Sequence, residues 1–378
     1  AGSLQAVAID SGARHSCMIM SDANVSCWGD NNRGQAGVSP SIDAQIYHGY
    51  SYPYYPLDMS AFGEVKALAM GGDHSCALIA NGSVMCWGNN SVGQLGRGYT
   101  NAFDSTPWYT QPFAQGRTAV AIDAGGNTTC AIIDNGSVTC WGAGSDGQIG
   151  NNQVNNKTTP TLVTGFPGGR TATNIAVGWR HACALLNDSN IACWGLNEGG
   201  ILGNGNDTSS STPVLVQTLP TSATAVGISS NNAHTCILLS DGDSACWGFG
   251  AYGALGLGID AMSSSSPVRV NHSGLSTVST DTGSWHTCAI TENGSVACWG
   301  INFEGQIGSD SEIGSPDPVF IEGYNSSHKA VSIRSGTYHS CAIDTNGDVR
   351  CWGQGTEGQL GDGSSSNSLI PVNVSLPN

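Results

Sequence analysis

Cysteine and histidine are the side chains of this 378-residue chain best suited to chemistry, and both recur at fixed spacing. Fourteen cysteines form seven pairs, each pair ten residues apart: Cys17/Cys27, Cys76/Cys86, Cys130/Cys140, Cys183/Cys193, Cys236/Cys246, Cys288/Cys298 and Cys341/Cys351. A histidine stands two residues before the first cysteine at His15, His74, His181, His234, His286 and His339, with Thr128 in the third copy. Cysteine with histidine could bind zinc, and a ring of histidines could hold a metal or move protons. The spacing argues otherwise. Cysteines separated by nine residues do not make a CxxC knuckle, and one histidine per repeat gives a radial pattern rather than a convergent one. The expectation is therefore a disulfide in each repeat, structural histidines, and neither metal nor cofactor.

The elements that position these residues follow from the intervening sequence. Each second cysteine is followed by Trp-Gly, and successive Cys-Trp-Gly triplets lie 59, 54, 53, 53, 52 and 53 residues apart. Such a period marks a repeat architecture. Between the paired cysteines lie an apolar run, a turn (Asn-Gly in four copies, Asp-Gly in one) and an alternating run, which read as a β-hairpin. If Cys130 lies opposite Cys140, then Ile132 faces Val138 and Ile133 faces Ser137, leaving the three-residue loop Asp134-Asn135-Gly136. Its last position should be left-handed, which suits glycine. That position is glycine in five copies and Ala23 and Ser189 in the other two. Opposed residues at a non-hydrogen-bonded site are close enough to bridge, so seven intra-hairpin disulfides are expected.

Each unit opens with a short β-like run such as Val65–Ala69. The hairpin follows, then a tail of Gly-Gln-x-Gly pattern and a Ser/Thr-rich loop, and the unit closes on a strand such as Pro213-Val214 or Pro371-Val372. Four short strands per period is the count of a propeller blade. The His-Ser/Thr-x-Ala start, the Gly-x-Val-x-x-Trp-Gly hairpin and the Asn-x-x-Gly-Gln-x-Gly tail resemble the RCC1-like repeat family. This resemblance covers essentially the whole chain and implies an all-β, seven-bladed propeller, here with a cysteine pair added to each repeat as in a secreted branch. The repeats fall at roughly 5–62, 63–117, 118–171, 172–222, 223–275, 276–328 and 329–378 of a single domain. The C-terminal strand 371–374 is expected to join the N-terminal blade and close the ring, removing exposed sheet edges.

A fully paired cysteine set points to an oxidising compartment. With no initiator methionine and no signal-like segment, Ala1 reads as the start of a processed chain. No apolar run is long enough to span a membrane. Twelve Asn-x-Ser/Thr sequons are candidate N-glycosylation sites: Asn24, Asn81, Asn89, Asn127, Asn135, Asn156, Asn187, Asn206, Asn271, Asn293, Asn325 and Asn373. The net charge of −16, with twelve basic residues scattered singly, argues against nucleic acid or an anionic membrane as partner. An extracellular or cell-surface glycoprotein is expected.

Two local motifs carry no chemistry. Gly-x-Gly-x-x-Gly at 142–147, 248–253 and 353–358 is the repeat tail and precedes no helix, so it is no dinucleotide site. Asp344-Thr345-Asn346-Gly347-Asp348 resembles a calcium loop, but position twelve is Gly355 rather than an acid. No nucleophile elbow, P-loop or paired-carboxylate arrangement stands out, and a non-enzyme is expected.

Binding is expected where the copies differ. Just before the repeat histidine, or Thr128 in the third copy, stand Arg14, Asp73, Asn127, Arg180, Ala233, Trp285 and Tyr338. Arg, Trp and Tyr are the residue types that dominate binding hot spots. Trp179-Arg180 in Gly-Trp-Arg-His resembles a motif of the plant UV-B photoreceptor branch. Trp285 is one position out of phase and no third copy exists, so that function is not expected here. The long insert of repeat one holds Tyr47, Tyr50, Tyr52, Tyr54 and Tyr55, and the matching segment of repeat two holds Trp108 and Tyr109; both read as aromatic loops beyond the blades. The expected function is a non-enzymatic extracellular scaffold that binds protein or glycan through face loops. The alternatives are a self-assembling subunit of a fibre or surface coat, whose partner is a copy of itself, and a secreted enzyme inhibitor.

Overall fold

A computed structural model describes residues 4–40, 55–57, 59, 63–258, 261–270 and 276–375. Seven four-stranded antiparallel sheets, each made of four consecutive strands, form seven blades. The blades occupy residues 6–57, 65–109, 119–162, 172–215, 225–269, 277–320 and 330–373. The first strand of each blade packs beside the first strands of its neighbours around a central axis, and the fourth lies at the rim.

The two middle strands are buried almost throughout, as in His74–Ile79 and Val84–Asn90, because sheet neighbours flank them and other blades cover both faces. Their near-continuous apolar and small residues suit that two-sided burial. The hairpin register follows the turn chemistry. Cys130 pairs with Cys140 and Ile132 with Val138, and Gly136 takes φ +77° at the last loop position. Ala23 and Ser189 adopt the same left-handed region, with φ +68° and +65°.

The seven expected disulfides are all present, one in each blade hairpin: Cys17–Cys27, Cys76–Cys86, Cys130–Cys140, Cys183–Cys193, Cys236–Cys246, Cys288–Cys298 and Cys341–Cys351. Their Cα–Cα distances are 4.0–4.1 Å. Every one of these cysteines is fully buried, so each bridge is part of the core as well as a cross-link and none is a surface site. Cys183 and Cys193 pack in the core shared by blades 4 and 5, Cys236 and Cys246 in that of blades 5 and 6, and Cys288 and Cys298 in that of blades 6 and 7. The second cysteine also marks an irregularity that the hairpin alignment does not foresee. Cys193 pairs with Val214, Cys246 with Val268 and Cys298 with Val319 of the fourth strand, and the ladder then shifts register before Gly195, Gly248 and Gly300. Such a bulge bends the outer strand while leaving the inner hairpin regular.

The tryptophan after each second cysteine is fully buried and joins its blade to the preceding one. Trp87 Nε1 donates to the Gln35 carbonyl at 2.8 Å, Trp141 to Gln94 at 2.9 Å and Trp194 to Gln148 at 2.9 Å. The series ends with Trp28 donating to the Gln359 carbonyl of blade 7 at 2.8 Å. The final glycine of the tail makes room for this indole in blades 2 to 7: a Cβ on Gly150 would sit 2.7 Å from Trp194 Nε1.

Two sequence expectations are corrected. Strand Ser368–Asn373 does not join the first blade; it pairs with Val349–Gly353 of its own blade, with Val372 opposite Cys351. The ring closes instead through side-chain packing and two backbone hydrogen bonds, Ala6 N–H to the Gly347 carbonyl at 3.3 Å and Thr337 N–H to the Ala13 carbonyl at 3.2 Å. Val374, Leu360 and Cys351 share one core with Ile9, Met18 and Trp28, so burial replaces the strand exchange. The aromatic segment of repeat two is likewise not a loop beyond the blade. Trp108 and Tyr109 lie in Asn101–Tyr109, the fourth strand itself. Its extra length continues the ladder past Cys86 to Asn89 and Asn90. Buried Arg97 holds it by donating to Asp104 and to the Cys86 and Thr106 carbonyls.

Candidate functional site

In an antiparallel meander the first and third connections of a blade emerge at one end, and the second at the other. The pre-histidine loops and the Gly-Gln-x-Gly tails therefore share one face of the propeller, here the loop face. The cysteine hairpin turns occupy the opposite face.

The repeat histidines lie beneath the loop face as joints between blades. His15 Nε2 meets Ser75 Oγ of the next blade at 2.9 Å, and His74 Nε2 meets Thr129 Oγ1 at 2.8 Å. His181, His234 and His286 reach Thr235, Thr287 and Ser340 in the same way, and His339 reaches Ser16 across the ring closure. Ser75, Thr129, Thr287 and Ser340 each donate their only hydroxyl proton to a carbonyl, of Gln35, Gln94, Ala254 and Gln306. They can therefore only accept from histidine, which fixes the Nε2–H tautomer at those four joints. Nδ1 of all six rings is buried without a hydrogen-bond partner, as suits an unprotonated nitrogen. Burial pushes His15, His74, His181 and His286 down to about 3, and His234 and His339 down to about 4. These rings are neutral joints between blades.

One joint is missing, and both of its halves are missing together. Blade 3 carries Thr128 in place of histidine, and blade 4 carries Ala182 where the other blades place the accepting hydroxyl. Thr128 instead donates to the Ala143 carbonyl of its own blade at 3.2 Å.

The axis of the propeller is a channel of about 450 Å³ lined by the first strands. The position opposite each first cysteine reads Asp10, Ala69, Asp123, Ala176, Ser229, Asp281 and Arg334 around the ring, and all but Ala69 line the channel. Asp10, Asp123 and Asp281 accept the backbone N–H of Met70, Val177 and Ser335 in the next blade at 2.6–2.7 Å. Ser229 does the same for Thr282 at 3.0 Å. Arg334 Nε stands 3.3 Å from Asp10. Burial raises Asp10 to about 6 and Asp281 to about 7, and holds Asp123 well above the usual carboxylate range. These groups staple adjacent blades. Residue type alone did not mark them, although the hairpin register would have placed them in one ring.

Ala233 is buried, and the other six pre-histidine positions divide into three groups. Arg14, Asp73, Asn127 and Tyr338 line a cavity of about 380 Å³ at the channel mouth, together with Trp179 and Gln354. Arg180 does not join them; it reaches Asp146 of blade 3 at 2.6 and 2.9 Å. Trp285 packs on Phe249, with ring centroids 6.3 Å apart. From the same two blades, Tyr252 and Phe303 stack edge to face at 5.5 Å, and they are 52% and 60% exposed. Sequence reasoning missed Phe249, Tyr252 and Phe303. Superposing the seven tails exposes them. The other blades carry Arg33, Val92, Asp146, Gly199, Glu304 and Glu357 where blade 5 has Tyr252. Where blade 6 has Phe303 they carry Asn32, Ser91, Ser145, Glu198, Ala251 and Thr356. Tyr252 is held at φ +60°, a conformation unfavourable for an aromatic residue and often retained at functional positions.

Of the other candidates, Trp108 is 55% exposed at the rim with Tyr109 beside it at 6.2 Å. Tyr47, Tyr50, Tyr52 and Tyr54 lie outside the described residues, and Tyr55 falls in strand Tyr55–Leu57 opposite Cys27. Asn24, Asn81, Asn135, Asn187 and Asn293 sit in hairpin turns opposite the loop face, and Asn325 and Asn373 lie toward that same side. Asn89, Asn127, Asn156 and Asn206 lie on the loop-face side, and Asn271 lies outside the described residues. Among the described residues no helix is long and apolar enough to cross a membrane, and no cluster of His, Cys, Asp and Glu is arranged to hold a metal ion.

Comparison with known proteins agrees with this geometry. The RCC1-like domain model matches residues 54–378, and the Regulator of chromosome condensation (RCC1) repeat model matches residues 6–35. The chain is 28% identical to the ultraviolet-B receptor UVR8 of Arabidopsis thaliana over 367 residues, covering 96% of this chain and 80% of that protein. It is 27% identical to the E3 ubiquitin-protein ligase HERC2 of Homo sapiens over 344 residues, or 90% of this chain but only 7% of that protein. The structure of yeast RCC1 (Prp20) bound to Kap60 superposes with a TM-score of 0.81 at 22% identity, covering 93% of this chain and 84% of that one. The chain belongs to the RCC1-like domain family, as a seven-bladed propeller carrying one disulfide per blade.

Proposed function

We propose that this protein is a non-enzymatic, extracellular interaction module that docks a protein partner on its loop face above blades 5 and 6. The observation that carries the reading is the aromatic group Phe249, Tyr252, Trp285 and Phe303. It is partly exposed, it stands where the other copies are mostly polar or small, and one member holds an unfavourable backbone. Exposed aromatic clusters of this kind supply the anchors of protein interfaces. Likeness to Prp20, a propeller of this fold captured with the protein Kap60, supports protein docking as the mode of action. The disulfides support an oxidising, extracellular setting. Glycans on the hairpin sequons Asn24, Asn81, Asn135, Asn187 and Asn293 would cover the opposite face and leave the loop face open.

Site-specific photocross-linking tests this placement. A photoreactive phenylalanine analogue would be placed at Phe303 on the loop face, at Val226 near the opposite mouth of the channel, or at Trp108 on the rim. Each protein would then be illuminated in its native extracellular fluid. An adduct with one defined protein is expected from position 303 and not from 226 or 108. Adducts from 226 or 108 with none from 303 would place docking elsewhere.

A further inference from the structure

The cavity at the channel mouth is chemically distinct from the aromatic docking group and lies across the face from it. It draws on five blades: Tyr338 and Gln354 from blade 7, Arg14 from blade 1, Asp73 from blade 2, Asn127 from blade 3 and Trp179 from blade 4. Blade 5 fences off the remaining side. Asn231 replaces the glycine found there in the other six repeats, and its amide donates to the Thr282 and Ser335 carbonyls of blades 6 and 7 at 3.0 and 3.3 Å. The result is a recess on one side of the axis, of a size within the range of small-ligand sites.

Its lining selects among ligands. Trp179 rests on Gly126, which is so close that a Cβ there would meet the indole at 2.6 Å, so its position in the wall is fixed. Tyr338 adds a second aromatic surface. Around them stand a carboxylate, two carboxamides and a guanidinium, the donors and acceptors that hydroxyl groups use. Arg14, the guanidinium of this wall, is already paired with Asp30 at 3.1 Å, which leaves it poorly placed to hold a phosphate, sulfate or carboxylate ligand. A single carboxylate at the wall is too few for a tightly held cation. Burial, with Asp30 nearby, raises Asp73 above its ordinary value, as suits a carboxyl that exchanges hydrogen bonds with neutral hydroxyls. None of the six side chains is a branched aliphatic that would favour an acyl chain.

We propose that this recess binds a neutral saccharide unit, one face of its ring against Trp179 and its hydroxyls on Asp73, Asn127, Gln354 and Arg14. The test uses the full chain and a panel of glucose, galactose, mannose and N-acetylglucosamine with their disaccharides, plus sulfated and sialylated controls. Binding would be followed by saturation-transfer NMR and calorimetry. At least one neutral sugar is expected to bind, with affinity reduced tenfold or more in Trp179→Ala and in Asp73→Asn. The second variant preserves side-chain size and remains informative if the first does not fold. Trp285→Ala, in the separate docking group, should bind the sugar as the parent does. Four results would overturn the proposal: no neutral sugar bound at millimolar concentration, tighter binding of the anionic controls, unchanged affinity in folded Asp73→Asn, or a glycan found by mass spectrometry on Asn127 itself, which would fill the recess from within. None of these results would bear on docking at blades 5 and 6.

Discussion

Between about pH 6 and about pH 4 the protein is expected to lose stability by roughly 4 kcal/mol per pH unit. Six buried histidines have folded-state values of about 3 to 4. An unfolded chain protonates them near pH 6.5, so over this range unfolding takes up as many as six protons and acid favours the unfolded state. The channel carboxyls act in the opposite sense. Asp10 and Asp281 are raised to about 6 and about 7, and Asp123 is raised with them, so the folded chain holds protons that the unfolded chain releases above about pH 4. The contribution of Asp10 and Asp281 is fully present at low pH and is lost as pH rises through 6–7, and that of Asp123 has the same sign. Six protons against three leaves a net uptake of about three on unfolding, at ~1.4 kcal/mol per proton per pH unit. Denaturant unfolding with the disulfides intact, at a series of pH values, measures the slope directly. Stability that is flat or rises toward pH 4 would mean that the histidines are not held neutral.

The second expected result concerns the histidine joints. Thr129→Ala should cost ~1–3 kcal/mol, because it leaves Nε2–H of His74 buried without an acceptor. In a His74→Thr background the same replacement should cost less by at least ~1 kcal/mol, because the donor is already gone. The double variant reproduces between blades 2 and 3 the Thr/Ala combination that the chain carries between blades 3 and 4 at Thr128 and Ala182. Costs that add within ~0.5 kcal/mol would show that the two side chains are not coupled. Coupling would explain why the natural joint lacks both members: a histidine without the hydroxyl leaves a buried N–H unmatched, and with the histidine gone the hydroxyl has no ring left to accept from.

The disulfides and the hairpin register are legible in the sequence because both follow from local chemistry: a glycine such as Gly136 and an opposed cysteine pair fix the same alignment from independent constraints. The bulge that follows Cys193, Cys246 and Cys298 is not legible, since it depends on how the distant fourth strand meets the hairpin. The structural nature of the histidines follows from their radial recurrence, but their acceptors lie about 50–60 residues away in the next blade, and no local pattern names them. The ring closure is misread because a terminal strand has two geometrically reasonable partners, and side-chain packing around Trp28 and Val374 decides between them. Trp108 and Tyr109 are misread because a long polar outer strand looks like an insert until buried Arg97 is seen to hold it. Of the pre-histidine residues, Arg14, Asp73 and Tyr338 converge as their shared position implies. Arg180 departs because Asp146 of the neighbouring blade captures it. Phe249, Tyr252 and Phe303 lie in a glycine-rich tail whose regular spacing draws attention away from its variable positions.

The claim that joins these observations is that residues repeated in every blade build the propeller, while function sits where the loop face departs from the repeat. The most direct test gives blades 5 and 6 the side chains that blade 3 carries at the same four positions: Phe249→Ala, Tyr252→Asp, Trp285→Asn and Phe303→Ser. Affinity for the protein captured at position 303 would be measured alongside the unfolding transition. A folded propeller of near-parental stability, with affinity lowered at least a hundredfold, is expected. A folded variant that binds with parental affinity would contradict the claim.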